Sequence, residues 1–307
     1  GKDLCPEGMP EEERADYCLW ELERLLKYIV WPEDVACIYM EPVMGEGGYV
    51  VPDKKFVQGV AKICKEHGIL LIFDEIQCGY GRTGKMWASQ HFDVIPDIMT
   101  VGKAIAGGLP MSAVISTPEI MDKWPIGTHG TTFGGNPVAA AAGCVVLEQF
   151  KDGSLLKNVN EMGAYLKEKL ELLMKKYPCI SDVRGVGLMI AIEFSHEDGS
   201  PAPDIWLDVK ARMLKRHMLT LNCGVHGNGM RFATPLNVKK EEIADEETSL
   251  IIELIDAYTL TEQKKLFIDL VKKTFDEQYG INYSNIKYNK ETKQYEYEIK
   301  GKIYTFN

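Results

Sequence analysis

Several signatures that would assign a function at once are missing from this 307-residue sequence. None of its eight cysteines (Cys5, Cys18, Cys37, Cys64, Cys78, Cys144, Cys179 and Cys223) stands in a C-x-x-C pair. The six histidines are scattered, and no H-E-x-x-H occurs. No metal site is therefore expected, and the thiols read as reduced, small and partly apolar. Positive charge is in short supply: 35 Lys and Arg face 45 Asp and Glu, a formal charge of −10. That balance argues against nucleic acid or an anionic membrane surface as a partner. No apolar run is long enough to span a bilayer, and no signal-peptide pattern is read at the first residues. A cytosolic protein is expected.

What the sequence has is an alternation of short apolar runs and helical periods. Residues 9–29 repeat apolar positions at helical spacing. Residues 35–40 (VACIYM) form a short apolar run ending at Glu41-Pro42. Residues 53–67 read as an amphipathic helix stopped at His67-Gly68. The runs ILLIF (69–73), DIMTV (97–101) and SAVIS (112–116) follow, separated by glycine-rich loops. This order predicts an α/β architecture with buried, mostly parallel strands.

An alanine-rich helix is expected over 136–150 and a long connecting helix over 154–177. RGVGLMIAIEF (184–194) reads as a strand opening a smaller α+β unit. A helix over 204–216 follows, then the strand-like MLTLNC and GMRFATPL. The expected division is a large domain over 1–150, a small domain over 151–245 and a distinct tail over 246–307. In that tail alanine and glycine become scarce. Helices are expected over 248–278, and a β-hairpin or meander over 286–306.

Three predicted strands end in an ionisable residue: Glu41, Asp74 and Lys103. In an open α/β sheet, ligands bind beyond the carboxyl ends of the strands. Any one of the three could be a solvated strand end; together, each beside a Gly- or Pro-rich loop, they point to a site. A lysine beside an aspartate suits pyridoxal phosphate. That cofactor forms an imine with a lysine and needs a carboxylate on its pyridine nitrogen to act as an electron sink. An ordinary lysine, with a pKa near 10.4, is a poor nucleophile at neutral pH until desolvation or a nearby cation lowers it. GYGRTGK (79–85) imitates a phosphate-binding loop. However, Met86 stands where Ser or Thr would hold magnesium, and Asp74-Glu75 precede it.

EPVMGEGGYVVP (41–52), ILLIFDEIQCGYGRTGK (69–85), PDIMTVGKAIAGGLP (96–110) and HGTTFGGNP (129–137) resemble the class-III aminotransferases. These are fold-type-I pyridoxal-phosphate enzymes. The resemblance continues through RGVGLM (184–189) to MRFATPL (230–236) and covers roughly residues 10 to 243. It implies that Lys103 is the Schiff-base lysine and proton carrier, and that Asp74 is the partner of the pyridine nitrogen. Gln77 would face the ring's phenolic oxygen, and Ile76 would pack on the ring. Thr132 would reach the cofactor phosphate of a neighbouring subunit, which implies a homodimer. Arg231 would bind the substrate α-carboxylate, Glu46 would pair with Arg231 when an ω-amino group enters, and Glu41 would line the same site.

The implied activity is transfer of an amino group from an amino acid or ω-amine to a 2-oxo acid. Racemases, epimerases and aminomutases share these motifs, and a scaffold or one chain of a split assembly is a third alternative. Two family features have no counterpart upstream of Glu41: a Gly-Ser/Thr turn that cradles the phosphate, and an aromatic residue before a His-Gly step. The tail after about residue 245 is also unlike the family's final helix.

Overall fold

The computed structural model describes residues 5, 6 and 8–243, and the backbone of three strands between 287 and 306. The chain divides into two compact units, residues 1–253 and 254–307.

The first unit holds two four-stranded sheets. Strands β1 (Cys37–Met40), β2 (Leu70–Asp74), β3 (Ile98–Val101) and β4 (Ala113–Ser116) lie in sequence order. The first three are parallel, and β4 returns antiparallel to β3. Helix α1 (Glu11–Tyr28) packs on α2 (Lys54–His67), which in turn packs on β2. Helix α2 starts where Asp53 accepts the Lys55 N–H at 2.6 Å, and it stops at left-handed Gly68. Its apolar stripe, Val57, Val60, Ile63 and Cys64, is buried with Leu71 and Phe73 of β2. Continuous apolar runs predict strands covered on both sides. Instead, among the described residues one face of this sheet stays open: Cys37 and Tyr39 of β1 are exposed, and Asp74 of β2 is half-buried.

After β4 come α3 (Pro118–Met121), α4 (Pro137–Glu148) and α5 (Ser154–Lys176). Asn136 caps α4 by accepting the Ala139 N–H at 2.9 Å. The small residues of α4 have a reason. A Cβ on Gly143 would lie 3.1 Å from the Ile105 carbonyl oxygen, so the helix lies directly against the turn that carries Lys103.

The second sheet is wholly antiparallel, in the order β5 (Ile180–Val186), β6 (Met189–Phe194), β8 (Gly229–Phe232), β7 (Leu221–Cys223). Residues 184–194, expected as one strand, are two. The chain turns at Gly187, in the left-handed region at φ +60°, and pairs back on itself. Helix α5 packs on β5 and β6, and α6 (Pro203–Lys215) packs on β6 and β8. On β6, Met189 and Ala191 join the cluster around Val43, Tyr49 and Phe73. Alternation turns Ile190, Ile192 and Phe194 the other way, and these are buried too.

In the second unit, β9 (Lys287–Asn289), β10 (Gln294–Ile299) and β11 (Lys302–Phe306) form an antiparallel meander in the order β11-β10-β9, as the alternating pattern predicts. The helices expected over 248–278 lie outside the described residues.

Candidate active site

The parallel register sets which side chains meet. Asp74 is the last residue of β2 and lies opposite Thr100 of β3. Tyr39 of β1 lies opposite Ile72, two residues before Asp74 on the same face. Glu41 follows β1, and Lys103 follows β3 after Gly102. All three ionisable strand ends thus share the carboxyl edge of the sheet, as expected.

Lys103 opens a short 3₁₀ turn, Lys103–Ala106, with its backbone in the left-handed region at φ +46°. For a non-glycine residue that conformation is sparsely populated and costs free energy, so the surrounding packing must impose it. Ile105 and Ala106 are buried beneath α4, while Lys103 itself is exposed. The charge of Lys103 favours the ionised forms of Glu41 and Glu46, which places all three in one electrostatic neighbourhood.

Asp74 has both oxygens engaged. Its Oδ1 accepts the Ile76 N–H at 2.9 Å, and its Oδ2 accepts the Tyr39 hydroxyl at 2.7 Å. A Cβ on Gly102 would lie 3.4 Å from Ile76 Cγ2, so Ile76 stands against the peptide leading into Lys103.

Glu75, next in sequence, faces the opposite way and is fully buried. It accepts the N–H groups of Ala88 at 2.8 Å and Ser89 at 2.7 Å, clasping the loop that returns from Gly79–Met86. Burial pushes its pKa above 4.5, against those hydrogen bonds. The 79–85 loop is no phosphate cradle. Arg82 is turned inward, donating to the carbonyls of Thr234 at 2.6 Å and Leu188 at 3.2 Å.

A second cluster joins the parallel sheet's rim to the antiparallel sheet. Glu46 lies in the 44–50 loop, Arg231 on β8. Arg231 Nη1 pairs with Glu46 Oε1 and donates to Gln77 Oε1 at 3.3 Å. Gln77 Nε2 donates to Glu46 at 3.4 Å. The loop is fixed by backbone: Gly224 N–H donates to the Glu46 carbonyl at 2.9 Å, and Arg184 Nε to that of Gly48 at 2.6 Å. Gly45 is small because a Cβ there would lie 2.4 Å from Gln77 Nε2 and 2.8 Å from Glu41 Oε1. The hydrogen bond from Arg231 holds Glu46 below its ordinary 4.5. Glu41 moves the other way. Burial raises it, with the Gly45 N–H at 3.0 Å opposing.

Two features of this arrangement bear on its chemistry. The guanidinium of Arg231 is mostly buried, and its Nε has no hydrogen-bond partner among the described residues. Its Nη1 faces the Glu46 and Gln77 oxygens, and a guanidinium's paired donors match the two oxygens of a carboxylate. Asp74 and Lys103 supply a hydrogen-bonded carboxyl group and an exposed amine one strand apart. Among the described residues no group of His, Cys, Asp and Glu is placed to hold a metal, and no helix is long and apolar enough to cross a membrane.

Of the residues singled out from sequence, Glu41, Glu46, Asp74, Ile76, Gln77, Lys103 and Arg231 fall in this region. Thr132 does not join them within one chain. It is exposed in the loop before α4 and makes no hydrogen bond to the others. Sequence reading overlooked Tyr39 and Thr100. Their signal was a hydroxyl inside an otherwise apolar strand.

Comparison with known proteins places the chain in a family. The family profile described as aminotransferase class-III matches residues 4–254. A probable 4-aminobutyrate aminotransferase of Bacillus subtilis is 39% identical over 251 residues, 80% of this chain and 57% of that protein. A leucine/methionine racemase of Thermococcus litoralis is 38% identical over 240 residues, 78% of this chain and 54% of that one. Among solved structures, a taurine:2-oxoglutarate aminotransferase from Bifidobacterium kashiwanohense, in complex with PLP and glutamate, superposes with a TM-score of 0.75 at 28% identity, covering 83% of this chain and 58% of that chain. The chain spans little more than half the length of the curated relatives it matches. With this family match and the fold it superposes on, the chain belongs to the class-III aminotransferases.

Proposed function

We propose that this chain carries the lysine-bearing half of a pyridoxal-phosphate site and takes part in moving an amino group from a donor amine to a 2-oxo acid. The observation that carries the reading is the placement of Asp74 and Lys103 at the carboxyl ends of adjacent parallel strands, beside the Glu41–Glu46–Gln77–Arg231 group. Bound at this edge, the cofactor would supply an electron-accepting ring that stabilises negative charge at the donor's amine-bearing carbon.

The chain's own residues have distinct tasks. Asp74, anchored at both oxygens, would hold a proton on the ring nitrogen. Ile76 would pack on the ring, and Gln77 would offer its amide to the ring's phenolic oxygen. Lys103, an exposed amine on a rigid turn, would hold the cofactor and then carry a proton to and from substrate carbon. Arg231, with its Nη1 shared between Glu46 and Gln77, would bind a substrate carboxylate. While Glu46 covers Arg231, the site suits the amine end of an ω-amino donor such as 4-aminobutyrate or ornithine. When Glu46 swings out, the site suits an α-carboxylate. Glu41 would line the same site.

A homodimer is part of the proposal. Thr132 stands in an exposed loop, and Ile126 and Phe133 of the same loop region are also exposed. There Thr132 would reach the phosphate of the neighbouring subunit's cofactor.

The test supplies the chain with pyridoxal phosphate, 4-aminobutyrate or ornithine, and 2-oxoglutarate. Glutamate formed in step with donor consumed supports transfer. A second reading is motivated by the racemase relative. Loss of chirality in a single amino acid, without any oxo acid present, would select it. Light scattering of the same sample checks the dimer, and a monomer would remove the role given to Thr132.

A further inference from the structure

The apolar face of the parallel sheet is interrupted by two hydroxyls, and both converge on Asp74. Tyr39 on β1 reaches diagonally across the sheet face, and its hydroxyl lies 2.7 Å from Asp74 Oδ2. The Tyr39 hydroxyl oxygen also lies 3.2 Å from Thr100 Oγ1 on β3. A phenol has one proton and accepts through its oxygen. With that proton given to the carboxylate, Thr100 must donate to Tyr39. The chain of donors then runs from Thr100 through Tyr39 to Asp74, one residue from each of the three parallel strands. The Ile76 N–H holds the other carboxylate oxygen from the opposite side at 2.9 Å. Two anchors on two oxygens fix the plane of the carboxylate, and each oxygen keeps a further lone pair for a ligand.

We propose that Tyr39, backed by Thr100, is a positioning residue that sets the Asp74 carboxylate for the ring nitrogen of pyridoxal phosphate. This rests on the functional reading above. Tyr39 touches no reacting atom. It acts by stopping Asp74 from rotating, so that the pyridine N–H meets a ready acceptor. Tyr39 is suited to stay a donor. Partial desolvation of its hydroxyl against the sheet, then its hydrogen bond to Asp74 and the negative charges of Asp74 and Glu41, push its phenol above its ordinary 10, with the Thr100 hydroxyl opposing.

The test uses the full chain and two ligands: pyridoxal phosphate, and its 1-deaza analogue with a C–H in place of the ring nitrogen. Tyr39→Phe should weaken pyridoxal phosphate binding about tenfold, the scale of one hydrogen bond to a charged group. Thr100→Val should weaken it about threefold, the scale of a neutral hydrogen bond further out. Neither substitution should change binding of the deaza analogue by more than about twofold, because the analogue asks nothing of Asp74. Equal losses with both ligands would show Tyr39 to be mere packing, and no loss with either would overturn the proposal outright.

A second measurement needs no cofactor. With ¹³Cζ-labelled tyrosine, Tyr39 should titrate above 10 in the wild-type chain and move down in Asp74→Asn. An unmoved midpoint would overturn the Tyr39–Asp74 contact. A wild-type chain that takes up no pyridoxal phosphate would instead overturn the functional reading, while the tyrosine titration still decides whether Tyr39 grips Asp74.

Discussion

The two sheets of the first unit solve opposite problems. The antiparallel sheet is packed on both sides of its central strand: Met189, Ile190, Ala191, Ile192 and Phe194 are each no more than 1% exposed. It lends the site one side chain, Arg231. The parallel sheet buries one face on α2 and leaves the other open among the described residues, and from it come Glu41, Asp74, Lys103, Tyr39 and Thr100. Stability and chemistry are thus divided between sheets. A strand buried on both faces holds a carboxylate only where it is paired, as Glu193 of β6 is with Arg184, while a half-open sheet can present polar groups at its edge provided that hydrogen bonds hold them in place.

The sharpest way to break this division is to exchange the consequences. Lys103→Ala should lower amino transfer roughly a hundred- to ten-thousandfold, the range for loss of a positioned proton carrier. Because Lys103 is exposed, its thermal midpoint should scarcely move. Conversely, Ile192→Ala on β6 should cost about 2–5 kcal/mol in denaturant unfolding through the cavity it leaves. Its affinity for pyridoxal phosphate, measured well below the new midpoint, should stay near wild type. Equal effects of both variants on both readouts would erase the distinction between the sheets.

Glu75 tests the boundary. It neighbours a site residue but faces the core, and Glu75→Ala would leave the Ala88 and Ser89 amides without their acceptor. The expected cost is about 1–3 kcal/mol per unpaired group in urea unfolding. Its pKa is raised by burial, so the folded state holds that proton more tightly than the unfolded one. The group's contribution to stability is therefore greatest at low pH and declines as pH rises from about 4.5 through the raised value. Stability–pH curves of wild type and Glu75→Gln should differ in that window.

The smallest expected effect belongs to the pair joining the two sheets. Glu46 is lowered, first by the hydrogen bond from Arg231, so its contribution is complete above 4.5 and disappears as pH falls through the depressed value. The carboxylate is 69% exposed, so screening keeps the pair weak. Glu46→Gln should change the KM for an ω-amino donor by no more than about fivefold, and added salt should shrink the difference.

The sequence made the parallel sheet easier to read than the antiparallel one. Three apolar runs ending in Glu41, Asp74 and Lys103 announce the strands, and the structure places all three residues at the carboxyl edge of the sheet. RGVGLMIAIEF was harder, because apolar residues continue through the turn at Gly187 and β6 is buried on both faces, so no alternation marks where one strand ends and the next begins. The meeting of Glu46 and Arg231 spans 185 residues, and no local pattern encodes it; only the family resemblance pointed to it. Tyr39 and Thr100 were hidden for a different reason. A hydroxyl within an apolar run reads as tolerated core until the register shows that both face Asp74. The opposite fates of Asp74 and Glu75 follow from strand alternation alone, once the end of β2 is known.

Borohydride reduction of the chain equilibrated with pyridoxal phosphate, followed by peptide mapping, tests the central claim most directly. A single pyridoxyl label on Lys103, lost in Lys103→Ala, is the predicted result. A label spread over other lysines, or absent while the chain remains folded, would contradict the placement of the site at the carboxyl edge of the parallel sheet.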